Sequence, residues 1–152
     1  MKIQWSPDYE LGIGVIDGQH KRIVEYINDV HHIAENNGSR DDIEQVLHLL
    51  VDYTLSHFAF EEALLEESDY PELPEHQISH RTFETQIQVL QERFNNGESV
   101  AIELADVLQQ WLFKHIMTDD QSYRAIVKNR FLNGTPEHHA SWIKRATARF
   151  FG

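Results

Sequence analysis

The chain of 152 residues contains no cysteine. Disulfides and thiolate ligands are therefore excluded, and with them iron–sulfur clusters and the common zinc-finger classes. If the protein binds a metal, the ligands have to be nitrogen and oxygen atoms. Histidine and the acidic residues are the side chains that supply both, and the chain has 10 His and 25 Asp and Glu.

Long apolar runs are also missing. No stretch reaches the 18 or so apolar residues that a membrane-spanning helix needs, and no signal-like apolar segment follows the first five residues. We therefore expect a cytoplasmic protein that is not inserted in a membrane. A hydrophobic content of 41% in a chain of this length is typical of a single domain with one core.

Basic residues are scarce except near the C-terminus. Residues 1–123 contain 7 Lys and Arg against 24 Asp and Glu, a net charge of −17, whereas residues 124–152 contain 6 against 1, a net charge of +5. Nucleic-acid binding is disfavoured, because phosphate contacts need a dense basic surface. We interpret the basic C-terminal part as a solvated, loosely complementary terminus, with contact with an anionic partner as the alternative. Whether it docks on the acidic body or meets another protein stays open.

The hydrophobic pattern predicts an all-α protein, because apolar residues recur at three- and four-residue spacing and no segment alternates as a strand does. Four amphipathic helices with short connections predict an up-down-up-down four-helix bundle. We expect one domain over residues 1–152, divided into an extended N-terminal arm over 1–16, a bundle core over 17–132 and a C-terminal extension over 133–152. The extension contains a short extra helix over 136–150.

Several polar residues mark the predicted helix ends. Helix starts are expected after residues whose side-chain oxygen can accept a backbone N–H: Asp17, Ser39, Ser99 and Thr135. A left-handed stop is expected at Asn37–Gly38. A loop with two prolines, Ser68–Pro74, separates the second and third helices.

Four short clusters of histidine and carboxylate lie on the predicted helices, in phase with their apolar stripes. They are His20 alone, His57 with Glu61, His76 with His80, and His115 with Asp120. A spacing of four residues places two side chains on one helical face. Such groups would be costly to bury bare inside a bundle, and a metal removes that cost. Five imidazoles and two carboxylates are too many ligands for one ion, so the pattern predicts two ions.

The other five histidines do not continue these stripes. They lie near helix ends, off the apolar faces or in the basic C-terminal part, and we interpret all of them as surface residues: His31, His32, His48, His138 and His139.

At this level of detail the sequence resembles the hemerythrin family, in particular its single-domain bacterial type, over about residues 5–125. The resemblance rests on the following residues: Trp5, Ile16-Asp17-Gly18-Gln19-His20, His57-Phe58-x-x-Glu61, His76-x-x-x-His80 and Trp111-Leu112-x-x-His115-Ile116-x-x-x-Asp120. It implies two non-heme iron ions that alternate between Fe2+ and Fe3+ and share an oxo or hydroxo bridge. By the same resemblance, one iron is held by His76, His80 and His115 and the other by His20 and His57, with Glu61 and Asp120 bridging them.

One of these ligands follows from the resemblance and not from helix geometry. Asp119 is the one-turn partner of His115, whereas Asp120 is five residues on and rotated by about 140° in an ideal helix. The family pattern favours Asp120, so we expect local bending of the helix there and interpret Asp119 as an outer or solvated acid.

The resemblance implies reversible dioxygen binding, for carriage, storage or delivery, and no enzymatic activity. Residues that match the family's oxygen pocket lie within a turn of ligands: Ile23, Phe58, Trp111, Leu112 and Ile116. Oxygen-activating bundle enzymes use a Glu-x-x-His motif, and none of the five histidines has a Glu three residues before it. Two alternatives stay open, which are an oxygen or redox sensor acting through an unidentified protein partner, and a di-iron enzyme acting on peroxide or nitric oxide.

Overall fold

The computed structural model describes residues 4–132 and 136–152, without the side chains of 132 and 136–138. Within these ranges the regular structure is helical. After a short 3-10 turn, Pro7–Tyr9, the elements are α1 Gly14–Glu35, α2 Arg40–Glu67, α3 Leu73–Asn95, α4 Ala101–His115, a π-helical segment Ile116–Asp120, α5 Gln121–Leu132 and α6 Pro136–Phe151.

The first four helices form the predicted bundle. Helix α1 packs against α2 and α4, and α3 also packs against both α2 and α4, so the four helices close a ring. The connections between successive helices are short, and successive helices therefore run in opposite directions. A continuous apolar core fills the ring, with Ile27, Leu50, Ile87 and Leu108 at most 1% exposed. The predicted all-α bundle is confirmed.

Two of the predicted helix ends near α2 are confirmed and one near α4 is wrong. Asn37 has a positive φ of 56° and ends the first helical segment, and Ser39 accepts the backbone N–H of Asp42 at 3.1 Å as the N-cap of α2. Ser99 does not cap α4, because Val100 occupies the N-cap position and no side chain bonds the first turn there. The start of α4 therefore depends on packing, since Val100 and Ala101 are buried.

The N-terminal arm is shorter and more structured than predicted. Helix α1 begins at Gly14, so Asp17 lies in its first turn and is not its N-cap. The Asp17 carboxylate instead accepts the backbone N–H groups of Leu11 at 2.8 Å and Gly12 at 3.0 Å. A carboxylate near the positive end of a helix is favourably placed, and here it also holds the preceding segment against the bundle.

Helix α6 packs along α2 on the side away from the bundle axis. Aromatic residues make this contact, because Trp142 and Phe150 lie edge-on to Phe60 with ring centroids 5.8 and 6.4 Å apart. Beside them a groove of about 590 Å³ is lined by Glu66 and Asp69 from the end of α2 and by Arg145 and Arg149 of α6, among others. The basic C-terminal helix therefore docks on the acidic body. Thr135 lies outside the described residues.

No helix in the described part of the chain is long and apolar enough to span a membrane.

Candidate metal centre

The seven side chains predicted as ligands meet inside the bundle, between α1, α2, α3 and the end of α4. None of them is more than 4% exposed. The members are His20, His57, Glu61, His76, His80, His115 and Asp120. We call the group formed by His76, His80 and His115 the three-histidine position, and the group formed by His20 and His57 the two-histidine position.

The carboxylate of Glu61 lies between the two positions. Its Oε1 contacts His76 Nε2 and lies 3.1 Å from His80 Nε2 and 3.7 Å from His115 Nε2. Its Oε2 lies 3.3 Å from His57 Nε2. Each oxygen therefore faces a different group of histidines, which is the orientation of a carboxylate that bridges two ions.

Asp120 divides its oxygens in the same way. Its Oδ1 lies 3.0 Å from His115 Nε2 and 3.3 Å from His76 Nε2, whereas its Oδ2 lies 3.3 Å from His20 Nε2. With Glu61, the centre has two carboxylates that span the same two groups of imidazoles.

A π-helical segment brings Asp120 onto the face of His115. The backbone N–H of Gln121 donates to the carbonyl of Ile116, five residues back. This wider turn accommodates one residue more than an α-helical turn, so residues five apart share a face. The bending that the sequence required near Asp120 is present in this form.

Electrostatic effects keep both carboxylates ionised. Burial opposes ionisation of Glu61, but its contacts with His115, His57 and other imidazoles lower its pKa well below the usual value. Burial and the charge of Glu61 likewise oppose ionisation of Asp120, and the positive charge of His115 lowers its pKa overall. Two buried anions side by side would repel each other strongly without cations between them.

The imidazoles respond to these anions unequally. Burial lowers the pKa of His57. For His76, burial is opposed by Asp120 and Glu61, which raise its pKa to about 9, and the same effects raise the pKa of His115 to about 12. Without a metal, protons on His76 and His115 therefore balance the carboxylates at neutral pH.

Unsatisfied polar atoms show that the centre fits a metal. His57 Nε2, both ring nitrogens of His20 and both oxygens of Asp120 are buried and form no hydrogen bond with any described residue. Buried polar atoms are normally paired. Two groups of side chains each bring their donor atoms within 4.8 Å of one another: Glu61 with His76, His80 and His115, and Glu61 with His20 and His57. Imidazole and carboxylate donors suit first-row transition metals.

Three of the histidines have a defined partner on the ring nitrogen that points away from the centre. His57 Nδ1 lies 2.7 Å from Gln19 Oε1, His80 Nδ1 lies 3.0 Å from Glu62 Oε2, and His115 Nδ1 lies 2.8 Å from Asp119 Oδ2. In each case Nδ1–H donates outward, which fixes the tautomer and leaves Nε2 free to bind a metal. Asp119 is thus the outer acid that the sequence predicted.

A buried tyrosine hydroxyl supports the carboxylate of Glu61. Tyr123 is fully buried and donates its phenolic O–H to Glu61 Oε2 at 3.2 Å. Burial and the nearby carboxylates, chiefly that of Glu61, raise the pKa of Tyr123, so the phenol stays a donor.

An apolar and aromatic wall covers the centre. The Phe58 ring stacks on His80 at a centroid distance of 4.1 Å, and the Trp111 ring stacks on His115 at 4.2 Å. Ile23, Leu112 and Ile116 are at most 2% exposed. The five residues predicted as an oxygen pocket therefore all lie in or against the core, and their role in binding oxygen stays a prediction.

Among the five remaining histidines, the surface interpretation is wrong for His31. It is only 2% exposed, and its Nε2 lies 3.3 Å from Asp106 Oδ1 on α4. Helix α4 covers this face of α1, which the sequence pattern of α1 alone does not reveal. His32 and His48 are exposed as predicted, and His139 is half-buried against Phe131. The side chain of His138 lies outside the described residues.

Five residues that hold the predicted ligands in place did not stand out in the sequence. They are Gln19, Glu62, Ser79, Arg81 and Tyr123. A usable signal was present for some of them, because Gln19 and Glu62 are next to ligands in the chain and Tyr123 lies three residues after Asp120. What the sequence does not show is which of the many acids near a histidine faces its Nδ1.

Comparisons with known proteins point to a single family. A family model described as hemerythrin HHE cation binding domain matches residues 11–127. The bacteriohemerythrin of Stenotrophomonas maltophilia is 42% identical over 149 residues, which cover 97% of each chain. The myohemerythrin of Sipunculus nudus is 24% identical over 120 residues, covering 79% of this chain and 89% of the relative. A crystal structure of wild-type hemerythrin superposes with a TM-score of 0.77 at 28% identity, covering 84% of this chain and 98% of that one.

Proposed function

Because this chain belongs to the hemerythrin family, we propose that it binds dioxygen reversibly at a non-heme di-iron centre, for carriage, storage or delivery. The observation that carries the proposal is the pair of carboxylates, Glu61 and Asp120, each with one oxygen toward the three-histidine position and one toward the two-histidine position. Iron bound by these residues would supply the electrons for reversible reduction of one dioxygen molecule.

The number of protein donors at each position indicates where a small molecule would bind. His76, His80 and His115 would hold one ion and His20 and His57 the other, while Glu61 and Asp120 would contact both. The two-histidine position offers one imidazole fewer, which would leave room there for a small molecule. The seven donors are held by four helices and a π-helical turn, and this rigid frame would keep that room from collapsing.

Apolar residues around the centre favour binding over further reaction. Ile23 follows His20 by three residues, and Leu112 precedes His115 by three, so each lies one turn from a ligand. Because Ile23, Leu112 and Ile116 are buried, water and acids have little access. Exclusion of water limits the proton supply that would otherwise release reduced oxygen from the site.

Hydrogen bonds hold the protonatable side chains around the centre in defined states. Tyr123 donates to Glu61 Oε2 and stays protonated, so it fixes the bridging carboxylate without accepting a proton. Asp119 and Glu62 hold the Nδ1 protons of His115 and His80. These side chains around the centre therefore change their protonation little when dioxygen binds or is released.

The test is an oxygen titration of the iron-loaded protein after anaerobic reduction. We expect uptake of one dioxygen per chain, release of the same amount under argon, and a second uptake of equal size. An irreversible first uptake, or steady turnover with peroxide or nitric oxide, would contradict the proposal in favour of an enzyme.

A second candidate function, sensing, is favoured by the position of α6. This helix contacts Phe60, the neighbour of Glu61 in α2, through Trp142 and Phe150. A shift of α2 on ligand binding would therefore reach a surface that a protein partner can contact. Hydrogen exchange of the α6 amides should then differ between the deoxygenated and oxygenated protein. Equal exchange in both states would leave carriage or storage as the function.

A further inference from the structure

We propose that the two metal positions differ in affinity and fill in order, the three-histidine position first. The inference rests on the proposed function and goes beyond it, because it assigns the difference to residues that do not touch the metal. Glu62 and Asp119 act as positioning residues that strengthen His80 and His115 as donors. Among the described residues, no carboxylate does this for a histidine of the two-histidine position.

Glu62 places a charged acceptor behind His80. Its Oε2 accepts the Nδ1–H of His80 at 3.0 Å, and the Glu62 side chain is only 10% exposed. The Arg81 guanidinium donates to both of its oxygens, at 2.5 and 2.6 Å. Glu62 is therefore held ionised and in one orientation.

Asp119 places a charged acceptor behind His115. Its Oδ2 accepts the Nδ1–H of His115 at 2.8 Å and a second hydrogen bond from the Ser79 hydroxyl at 3.2 Å. The π-helical segment makes this arrangement possible, because it gives Asp120 to the metal and leaves Asp119, the ordinary one-turn partner, for the outer nitrogen of the same histidine.

The two-histidine position is supported only by a neutral group. His57 Nδ1 donates to the amide oxygen of Gln19 at 2.7 Å. Gln19 is 5% exposed, so this bond is stable, but it brings no charge. The Nδ1 of His20 forms no hydrogen bond with any described residue. Carboxylates therefore support the three-histidine position, whereas an amide supports the two-histidine position.

The charge of the outer acceptor changes the strength of the donor. A carboxylate that accepts the Nδ1 proton raises the electron density on Nε2, and loss of such a partner typically costs 10–100-fold in metal affinity. The three-histidine position has one more imidazole and two of these partners. We therefore expect its affinity for a divalent ion to exceed that of the two-histidine position by on the order of 100-fold or more.

The experiment is a calorimetric and visible-absorption titration of the metal-free protein with Co2+ under argon. The wild type should bind two ions in two resolved steps. Glu62→Gln keeps the size and the acceptor but removes the charge, and should weaken the first step about 10–100-fold with a smaller effect on the second. Gln19→Glu should do the reverse and strengthen the second step. Glu66→Gln, an exposed change on the same helix, is the matched control and should alter neither step.

The order of filling is read from 15N spectra of histidine-labelled protein with one equivalent of Zn2+. We expect the Nε2 signals of His76, His80 and His115 to shift before those of His20 and His57. Asp119→Asn, which changes a half-exposed side chain, repeats the test if Glu62→Gln does not fold.

Three results would overturn the inference. They are binding of both ions in one step of equal affinity, first filling of the two-histidine position, and a Glu62→Gln protein that matches the Glu66→Gln control. Each leaves the proposed function intact, because two ions still bind. Absence of any Co2+ binding would instead overturn the proposed function and, with it, the order of filling.

Discussion

Removal of the Tyr123 hydroxyl tests whether the Glu61 carboxylate, which we propose as a bridging ligand, depends on a hydrogen bond from outside the seven predicted ligands. In Tyr123→Phe the ring remains, so its packing near His76 at 5.6 Å and Tyr70 at 6.2 Å is kept. Only the O–H that donates to Glu61 Oε2 at 3.2 Å is lost. Because the group is fully buried, water cannot replace it.

The size of the effect follows from the charge of the acceptor. A hydrogen bond to a charged group stabilises a folded protein by about 1.5–3 kcal/mol. We therefore expect Tyr123→Phe to lower the free energy of unfolding by about 2 kcal/mol, and the melting temperature by roughly 4–8 °C for a chain of this size.

The pH dependence of this effect has a definite sign. Burial raises the pKa of Tyr123 in the folded state above that of the unfolded chain, which is about 10. Below pH 10 both states are protonated, so the difference between wild type and variant stays constant. Above pH 10 only the unfolded state loses the proton, and the wild type becomes less stable as the pH rises.

Thermal unfolding of the metal-loaded proteins, at equal free metal concentration, measures the difference. Tyr70→Phe is the matched control, because its hydroxyl donates to Glu72 at 3.1 Å near the surface, and we expect a loss below about 1 kcal/mol. A Tyr123→Phe protein no less stable than Tyr70→Phe would refute the reasoning.

Other substitutions and a change of pH test the remaining parts of the account. His57→Ala or Glu61→Ala should reduce the bound iron below two per chain and lower the unfolding temperature, because metal binding contributes to folding free energy; unchanged iron in both variants would exclude them as ligands. Ile116→Ala or Leu112→Ala should accelerate autoxidation, measured as the loss of the oxygenated spectrum, because water gains access, and a slower rate would count against the oxygen pocket. Metal uptake by the metal-free protein should tighten as the pH rises toward 9, because a metal must displace the proton of His76, whose pKa is raised to about 9. Calorimetry in buffers of different protonation enthalpy measures that proton, and pH-independent affinity would argue against it.

The sequence was sufficient to predict the bundle and to predict which side chains meet inside it, because both depend largely on periodicity. The predicted ligands other than Asp120 continue the apolar stripes of their helices, so the same spacing that predicts the core predicts that His20, His57, His80 and His115 point into it. All of them are buried together. The resemblance was needed for Asp120, since an ideal helix would have favoured Asp119.

Features that depend on contacts between helices could not be predicted in this way. The pattern of α1 does not show that α4 buries His31, or that Asp17 bonds the segment before its own helix. The same holds for the partners of the ligands. Glu62 and Gln19 are recognisable only when the ring of His80 or His57 has a known orientation, which is a property of the packed bundle.

The most direct test of the central claim combines iron analysis with absorption spectra of the purified protein, reduced anaerobically and then cycled through oxygen and argon. We expect two irons per chain and an oxygen-dependent band that disappears on deoxygenation and returns on the next cycle. An iron-free protein, or two irons that oxidise once and never regain the band, would contradict this expectation.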